Sequence, residues 1–171
     1  AGLIYLGIIF PELKESQKWL KRGLKGLEEE MQHQVYNDGV DYELSIPYHR
    51  FVTEIFLWTG WLCKINNQKL DSVFWDRLEK MVEFSKWYIK PNNLAPQIGD
   101  NDNGRLHIIF EDFYQEEQNN HFALLKLYNY VFDKKDKEDD FYGGKSFTKA
   151  GFYIIKEQGF YFITGRHKCC Y

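Results

Sequence analysis

Apolar residues recur at helical spacing through most of this 171-residue chain and at strand spacing only near its end. Leu13, Leu20, Leu24, Leu27 and Met31 keep one side of a coil inward, which predicts a helix over residues 11–36. Pro11 suits its first turn, and Glu12 and Glu15 complement the positive end. Asn37-Asp38-Gly39 supplies a turn, and residues 40–47 read as a loop. A second helix begins near Pro47, with Tyr48, Val52, Ile55, Thr59 and Leu62 along one side and Phe51, Phe56, Trp58 and Gly60 crowding the others. A helix apolar nearly all round is one that neighbours bury. The third, over residues 72–90, carries Phe74, Leu78, Met81, Ser85 and Tyr88 on one stripe with charges elsewhere, reads as a more exposed partner, and is stopped by Pro91.

Residues 91–105 (PNNLAPQIGDNDNGR) have no helical period. Loops of this length without structure of their own tend to be functional or mobile. A further helix spans residues 119–132, with Phe122, Leu125, Tyr128 and Phe132 in register, followed by the charged run KKDKEDD, read as a solvated linker. The period then changes. FYIIKE and FYFITG, separated by Gln158-Gly159, read as a hairpin. Helices grouped first and strands last imply two layers or domains, not alternating βαβ units.

Composition narrows the function classes. With 22 Lys+Arg against 25 Asp+Glu the net charge is −3, which argues against nucleic-acid binding, since that needs clustered cations to displace phosphate counterions. No apolar run approaches the roughly 20 residues of a membrane span. The opening AGLIYLGIIF lacks the basic flank and cleavage site of a signal peptide, and with no initiator Met the chain is expected to be processed or cut from something longer. Cys63, Cys169 and Cys170 form neither a disulfide framework nor a zinc motif, so no metal or cofactor is expected. The 14 Phe, 12 Tyr and 5 Trp fit a bulky core or rings that pack against flat sugar faces.

Two segments carry candidate chemistry. In DGVDYELSIPYHRF, Tyr48, His49 and Arg50 stand together at a helix start, with Glu43 in the preceding loop. They combine a phenol, an imidazole and a permanent positive charge; with reference pKa values of about 10 and 6.5, the first two need tuning to serve as proton carriers. The bland alternative is a buried Tyr, a neighbouring His and a surface Arg. In GDNDNGR, Asp100 and Asp102 could act as paired carboxylates or simply cap turns, and Arg105 and His107 could neutralise an anionic ligand. The order of residues there fails the calcium-loop pattern.

Four segments in succession, GLIYLGIIFPE, QVYNDGVDYELSIPYHR, PQIGDNDNGRL and SFTKAGFYIIKEQGFYFI, resemble landmarks of the heparinase II/III-like polysaccharide lyases in order and spacing. The resemblance implies a mainly α fold: an incomplete (α/α) toroid of paired antiparallel helices over residues 1–133, a charged linker over 134–145, and the first strands of an antiparallel β-sandwich over 146–171. It also implies β-elimination on an acidic polysaccharide containing uronic acid, in a periplasmic or secreted setting, without cofactor. A base removes the C5 proton beside a carboxylate and the C4–O bond breaks. Tyr48 matches the family tyrosine that acts as base or acid, with His49 beside it; Arg50, Glu43, Asp100, Asp102 and Arg105 are implied to contact or orient substrate. The family's carboxylate-assisting Asn or His would lie before Ala1 and its sandwich His beyond Tyr171, so the 171-residue polypeptide alone is expected to be inactive. Two alternatives stay open: a helical-toroid glycoside hydrolase using Asp100 and Asp102 or Glu43, and a non-catalytic protein that binds or helps assemble a surface polysaccharide.

Overall fold

A computed structural model describes residues 1–101, 104–107, 119–134 and 142–165. Five helices precede three strands among them: α1 (Gly2–Ile9), α2 (Ser16–Gln34), α3 (Ile46–Ile65), α4 (Ser72–Tyr88), α5 (Phe122–Val131), β1 (Gly143–Phe147), β2 (Phe152–Glu157) and β3 (Phe160–Thr164). The class is mainly helical with a small antiparallel sheet, ordered β1-β2-β3.

The helix predicted over residues 11–36 is α2, which starts only at Ser16, and α1 precedes it. Pro11 lies in the turn between α1 and α2 and not inside a helix, and Leu13 is exposed. Leu20, Leu27 and Met31 do form the buried stripe. α1 packs tightly on α2: a Cβ at Gly7 would stand 2.7 Å from Leu20 Cβ and 2.8 Å from the Ser16 carbonyl oxygen, so only glycine permits this approach. The carboxyl end of α2 is tied to α4 by Arg77, whose guanidinium donates to the carbonyls of Met31, Gln32 and Val35. These are carbonyls that a helix end leaves unpaired, and a cation there also suits the helix dipole.

α3 packs on α1, α4 and α5. Ser45 caps it by accepting the Tyr48 N–H through Oγ at 3.3 Å, and Pro47 fits the first turn. Its buried side departs from the predicted one. Ile46, His49, Arg50, Thr53, Glu54, Phe56, Leu57, Gly60 and Cys63 are buried with Thr59, whereas Tyr48, Val52, Ile55 and Leu62 are only partly covered. Polar residues thus sit where an apolar stripe was expected. α4, capped by Asp71 at 2.7 Å from the Phe74 N–H, buries Phe74, Leu78, Met81, Ser85 and Tyr88 as predicted. It also buries Val82, Phe84 and Trp87, and so is less exposed than its charges suggested.

β2 and β3 form the predicted hairpin, with Ile154 opposite Ile163. β1 pairs with β2, Phe147 opposite Phe152. Because β1 begins at Gly143, the predicted linker over 134–145 overlaps a strand. Alternation along β2 turns Phe152, Ile154 and Lys156 inward and Tyr153, Ile155 and Glu157 outward. The inward rings meet α4: Phe84 lies 4.7 Å from Phe147 and 5.2 Å from Phe152 between ring centroids. The sheet is further anchored by Lys145 on Glu83 at 2.5 Å and by the Tyr161 hydroxyl donating to the Tyr88 carbonyl at 2.7 Å. Asp38, in the turn after α2, accepts the Lys149 and Ala150 N–H groups at 2.7 and 3.2 Å.

Candidate functional site at the amino end of α3

The loop before α5 runs along α3 and is held at successive turns of the helix. The Ile46 N–H donates to the Ile98 carbonyl at 2.9 Å, and Ser45 Oγ donates to the Asp100 carbonyl at 2.7 Å. Gly99 adopts φ +80°, and a Cβ there would stand 2.7 Å from Ser45 Cα. Both the left-handed conformation and the contact demand glycine.

One and two turns further on, Arg50 and Glu54 continue the attachment. Their side chains are 5% and 8% exposed and pair at 2.7 Å. Arg50 also donates to the Gly104 carbonyl, while the second oxygen of Glu54 accepts the Leu106 and His107 N–H groups at 3.1 and 3.3 Å. Another turn along, the Trp58 ring meets His107 edge-on at 5.4 Å, and His107 Nε2 lies 3.2 Å from the Tyr5 hydroxyl. The buried pair therefore serves as a clasp: a loop with neither helix nor strand over residues 104–107 is fixed to a helix by charge-assisted bonds.

Each sequence-predicted residue can now be located. Tyr48 is partly exposed at the amino end of α3. His49 is turned the other way and buried: Nδ1 accepts the Asp41 N–H at 3.2 Å and Nε2 lies 3.1 Å from the Met81 carbonyl. Burial pushes its pKa down to about 4, against the Met81 contact, so the ring is neutral. Arg50 is not a surface arginine, and its guanidinium is committed to Glu54 and Gly104. Tyr48, His49 and Arg50, adjacent in sequence, thus face different surroundings: the first is partly exposed and the other two are buried. Glu43 and Asp100 are exposed, and Arg105 is partly covered with one donor on the Gly104 carbonyl at 3.2 Å. Asp102 lies outside the described residues, as do Cys169 and Cys170.

The structure also brings in residues that sequence reasoning passed over. Glu54 is one; its signal was the four-residue spacing from Arg50. Asp41 is another: fully buried, its Oδ2 accepts the Glu43 N–H at 3.2 Å while Oδ1 has no hydrogen-bond partner among the described residues. Burial raises its pKa to about 7, against that N–H. Behind the helix, the Tyr88 hydroxyl and His121 Nδ1 lie 3.0 Å apart. Burial drives the tyrosine's pKa up; burial, then the charges of Arg50 and Arg105, drives the histidine down to about 2. Among the described residues no group of His, Cys, Asp and Glu could hold a metal, and no helix is long and apolar enough to cross a membrane.

Comparison with known proteins places this architecture. Residues 1–130 match the family model described as the heparinase II/III N-terminus. A heparin-sulfate lyase of Bacteroides stercoris is 28% identical over 163 residues, covering 90% of this chain and 23% of that protein. One from Bacteroides thetaiotaomicron is 32% identical over 108 residues, 58% of this chain and 15% of its own. Among solved structures, a heparinase III superposes with a TM-score of 0.69 at 25% identity, over 90% of this chain and 25% of that one. The heparan sulfate lyase of Pedobacter heparinus gives 0.65 at 26% identity, over 89% and 24%. The chain therefore spans about a quarter of the length of the structures it matches. A family match over 130 residues, with likeness in both sequence and fold, identifies the chain as a member of the heparinase II/III N-terminal family.

Proposed function

We propose that this chain carries the proton-transfer tyrosine of a polysaccharide lyase that cleaves a uronic-acid-containing, acidic polysaccharide by β-elimination. In this reading the helices are an arc of an incomplete (α/α) toroid and the strands begin an antiparallel β-sandwich. The heparin-sulfate lyases among the relatives favour a sulfated glycosaminoglycan as substrate, and such a polymer suits a periplasmic or secreted protein.

The observation that carries the proposal is the position of Tyr48. It is partly exposed on the first turns of a helix whose buried polar residues fix a loop alongside it. The ionised phenol takes the C5 proton, the electron pair forms the C4–C5 double bond, and the C4–O bond breaks. The departing oxygen then receives a proton from the phenol. The difficult moment is the negative charge that grows on the uronate as C5 loses its proton. Positive charge fixed in advance stabilises it without reorganisation. Arg105 supplies that charge from the loop, and Arg50, paired with Glu54 and bonded to the Gly104 carbonyl, fixes the loop that carries it. Glu43 and Asp100, together with Asp102, orient sugar hydroxyls. His49 acts as a positioning residue that holds the loop before α3 through the Asp41 N–H.

Proton transfer by a positioned group contributes roughly 10²- to 10⁴-fold. In a protein of the relatives' full length, Tyr48→Phe is expected to lower kcat by that factor with KM changed by less than about threefold. Appearance of the ultraviolet-absorbing unsaturated product is the measurement. Retention of full turnover in the variant would defeat the reading, and hydrolysis without a new double bond would favour a glycoside hydrolase.

A further inference from the structure

At the other end of α3 the described residues form a groove of about 620 Å³ between the end of α3, the start of α4 and α5. That volume lies within the roughly 300–1,000 Å³ of small-ligand sites. Lys64 is sixteen residues from Tyr48 on the same helix; at about 1.5 Å per residue the two stand roughly 24 Å apart.

Two kinds of side chain line the groove: the rings of Trp75, Tyr128 and Phe132, and the ammonium groups of Lys64, Lys69 and Lys134. One acidic residue, Glu79, joins them and pairs with Lys134 at 3.4 Å. Lys64 lies 4.8 Å above the Phe132 ring, and Lys69 has no hydrogen bond or ion pair among the described residues. Neither Lys64 nor Lys69 has an acidic partner among the described residues. The rings are fixed in advance, since Trp75 meets Phe74 and Phe132 edge-on at 5.1 and 5.8 Å, which lowers the ordering cost of binding. The Tyr128 hydroxyl, held protonated by burial and then by Glu79, has no hydrogen-bond partner among the described residues. At the rim, Asn67 presents its amide from a left-handed turn at φ 55°.

Ammonium groups select an anion, but a bare anion would leave the rings unused. An apolar ligand would leave the lysines unused. A ring-shaped, hydroxylated anion uses both. We propose that this groove is a second binding site, remote from Tyr48, for an anionic oligosaccharide segment: acidic groups on Lys64 and Lys69, a pyranose face on Trp75, and a sugar hydroxyl on Tyr128. It rests on the reading above only for the class of sugar. A polymer that reached both ends of α3 would be held twice, and the second contact would raise its effective concentration at the first.

The test is a residue-resolved titration of the 15N-labelled 171-residue chain with a heparin hexasaccharide. Amide shifts at residues 64–70 and 128–134 are expected to saturate. The double variant Lys64→Ala, Lys69→Ala should weaken that Kd at least tenfold, and Lys64→Arg, Lys69→Arg should restore it to within about threefold. Both lysines are exposed, so the same spectra verify the fold. Tyr128→Phe should weaken it about threefold, as loss of one hydrogen bond does. An unchanged Kd in the alanine double variant overturns the proposal. So does equal displacement of the sugar by inorganic sulfate, which marks a bare anion site, or by a hexaglutamate peptide, which marks an acidic-protein surface. Failure of the Tyr48 reading would instead appear as undiminished turnover by Tyr48→Phe in a protein of the relatives' full length, with the groove still saturating in the titration.

Discussion

The two ends of α3 handle charge in opposite ways. At the amino end Arg50 and Glu54 are withdrawn from water, pair with each other and bond to the loop alongside. At the carboxyl end Lys64 and Lys69 stay exposed, and the Lys134–Glu79 pair is more than half exposed on both sides. The first arrangement spends its charges on shape and the second leaves them for a ligand. A charged side chain is therefore informative about recognition only once its partners are known.

That contrast can be broken experimentally. Glu54→Ala should produce the largest effect, a loss of about 3–5 kcal/mol in chemical denaturation, because it strands a buried guanidinium and two loop N–H groups. The exposed pair should behave otherwise: Glu79→Ala is expected to cost no more than about 0.5 kcal/mol, after solvent screening of a pair this exposed. Equal costs would erase the distinction.

The pH dependence of folding sharpens it further at the amino end. His49 and His121 have folded pKa values held down by burial, to about 4 and about 2. Their contribution is present above the unfolded value of 6.5 and is lost as pH falls through that value. Asp41 is shifted upward by burial, from 3.8 to about 7, so its contribution is present below the unfolded value and is lost as pH rises toward 7. Between about pH 4 and 6.5 the unfolded chain holds two extra protons on the histidines and the folded chain one on Asp41. The net of one proton makes stability rise with pH by about 1.4 kcal/mol per unit. Asp41→Asn removes the opposing term and should double that slope, measured as unfolding free energy across the window. A slope unchanged by the variant would show that Asp41 is ionised in the fold.

Much of the helical frame was legible because its signals are local. The stripes of α2 and α4, the start of α3 near Pro47 and the Gln158-Gly159 hairpin each declare themselves within a few residues. α1 did not, because GLIYLGII is apolar around its circumference and has no polar phase to read. β1 did not either, since GGKSF offers two glycines and no alternation. The inward side of α3 was misjudged for a different reason. Hydrophobicity favours Val52 and Leu62, but Arg50 and Glu54 are buried because a loop about fifty residues later supplies their partners. The same distance hid the site: Tyr48, His49 and Arg50 are adjacent in sequence yet face different surroundings, and only the fold separates them.

Phe84 gives the frame a consequence of its own. Its ring touches His49 and Tyr88 on the helical side at 4.9 and 5.2 Å, and Phe147 and Phe152 on the sheet side. A displacement of the strands would be felt by this phenyl group and passed to the imidazole beside Tyr48. Phe84 is thus the apolar joint between the two layers, beside the polar ties of Lys145 to Glu83 and Tyr161 to the Tyr88 carbonyl, and trimming it would loosen the seat of the imidazole as well as that of the sheet.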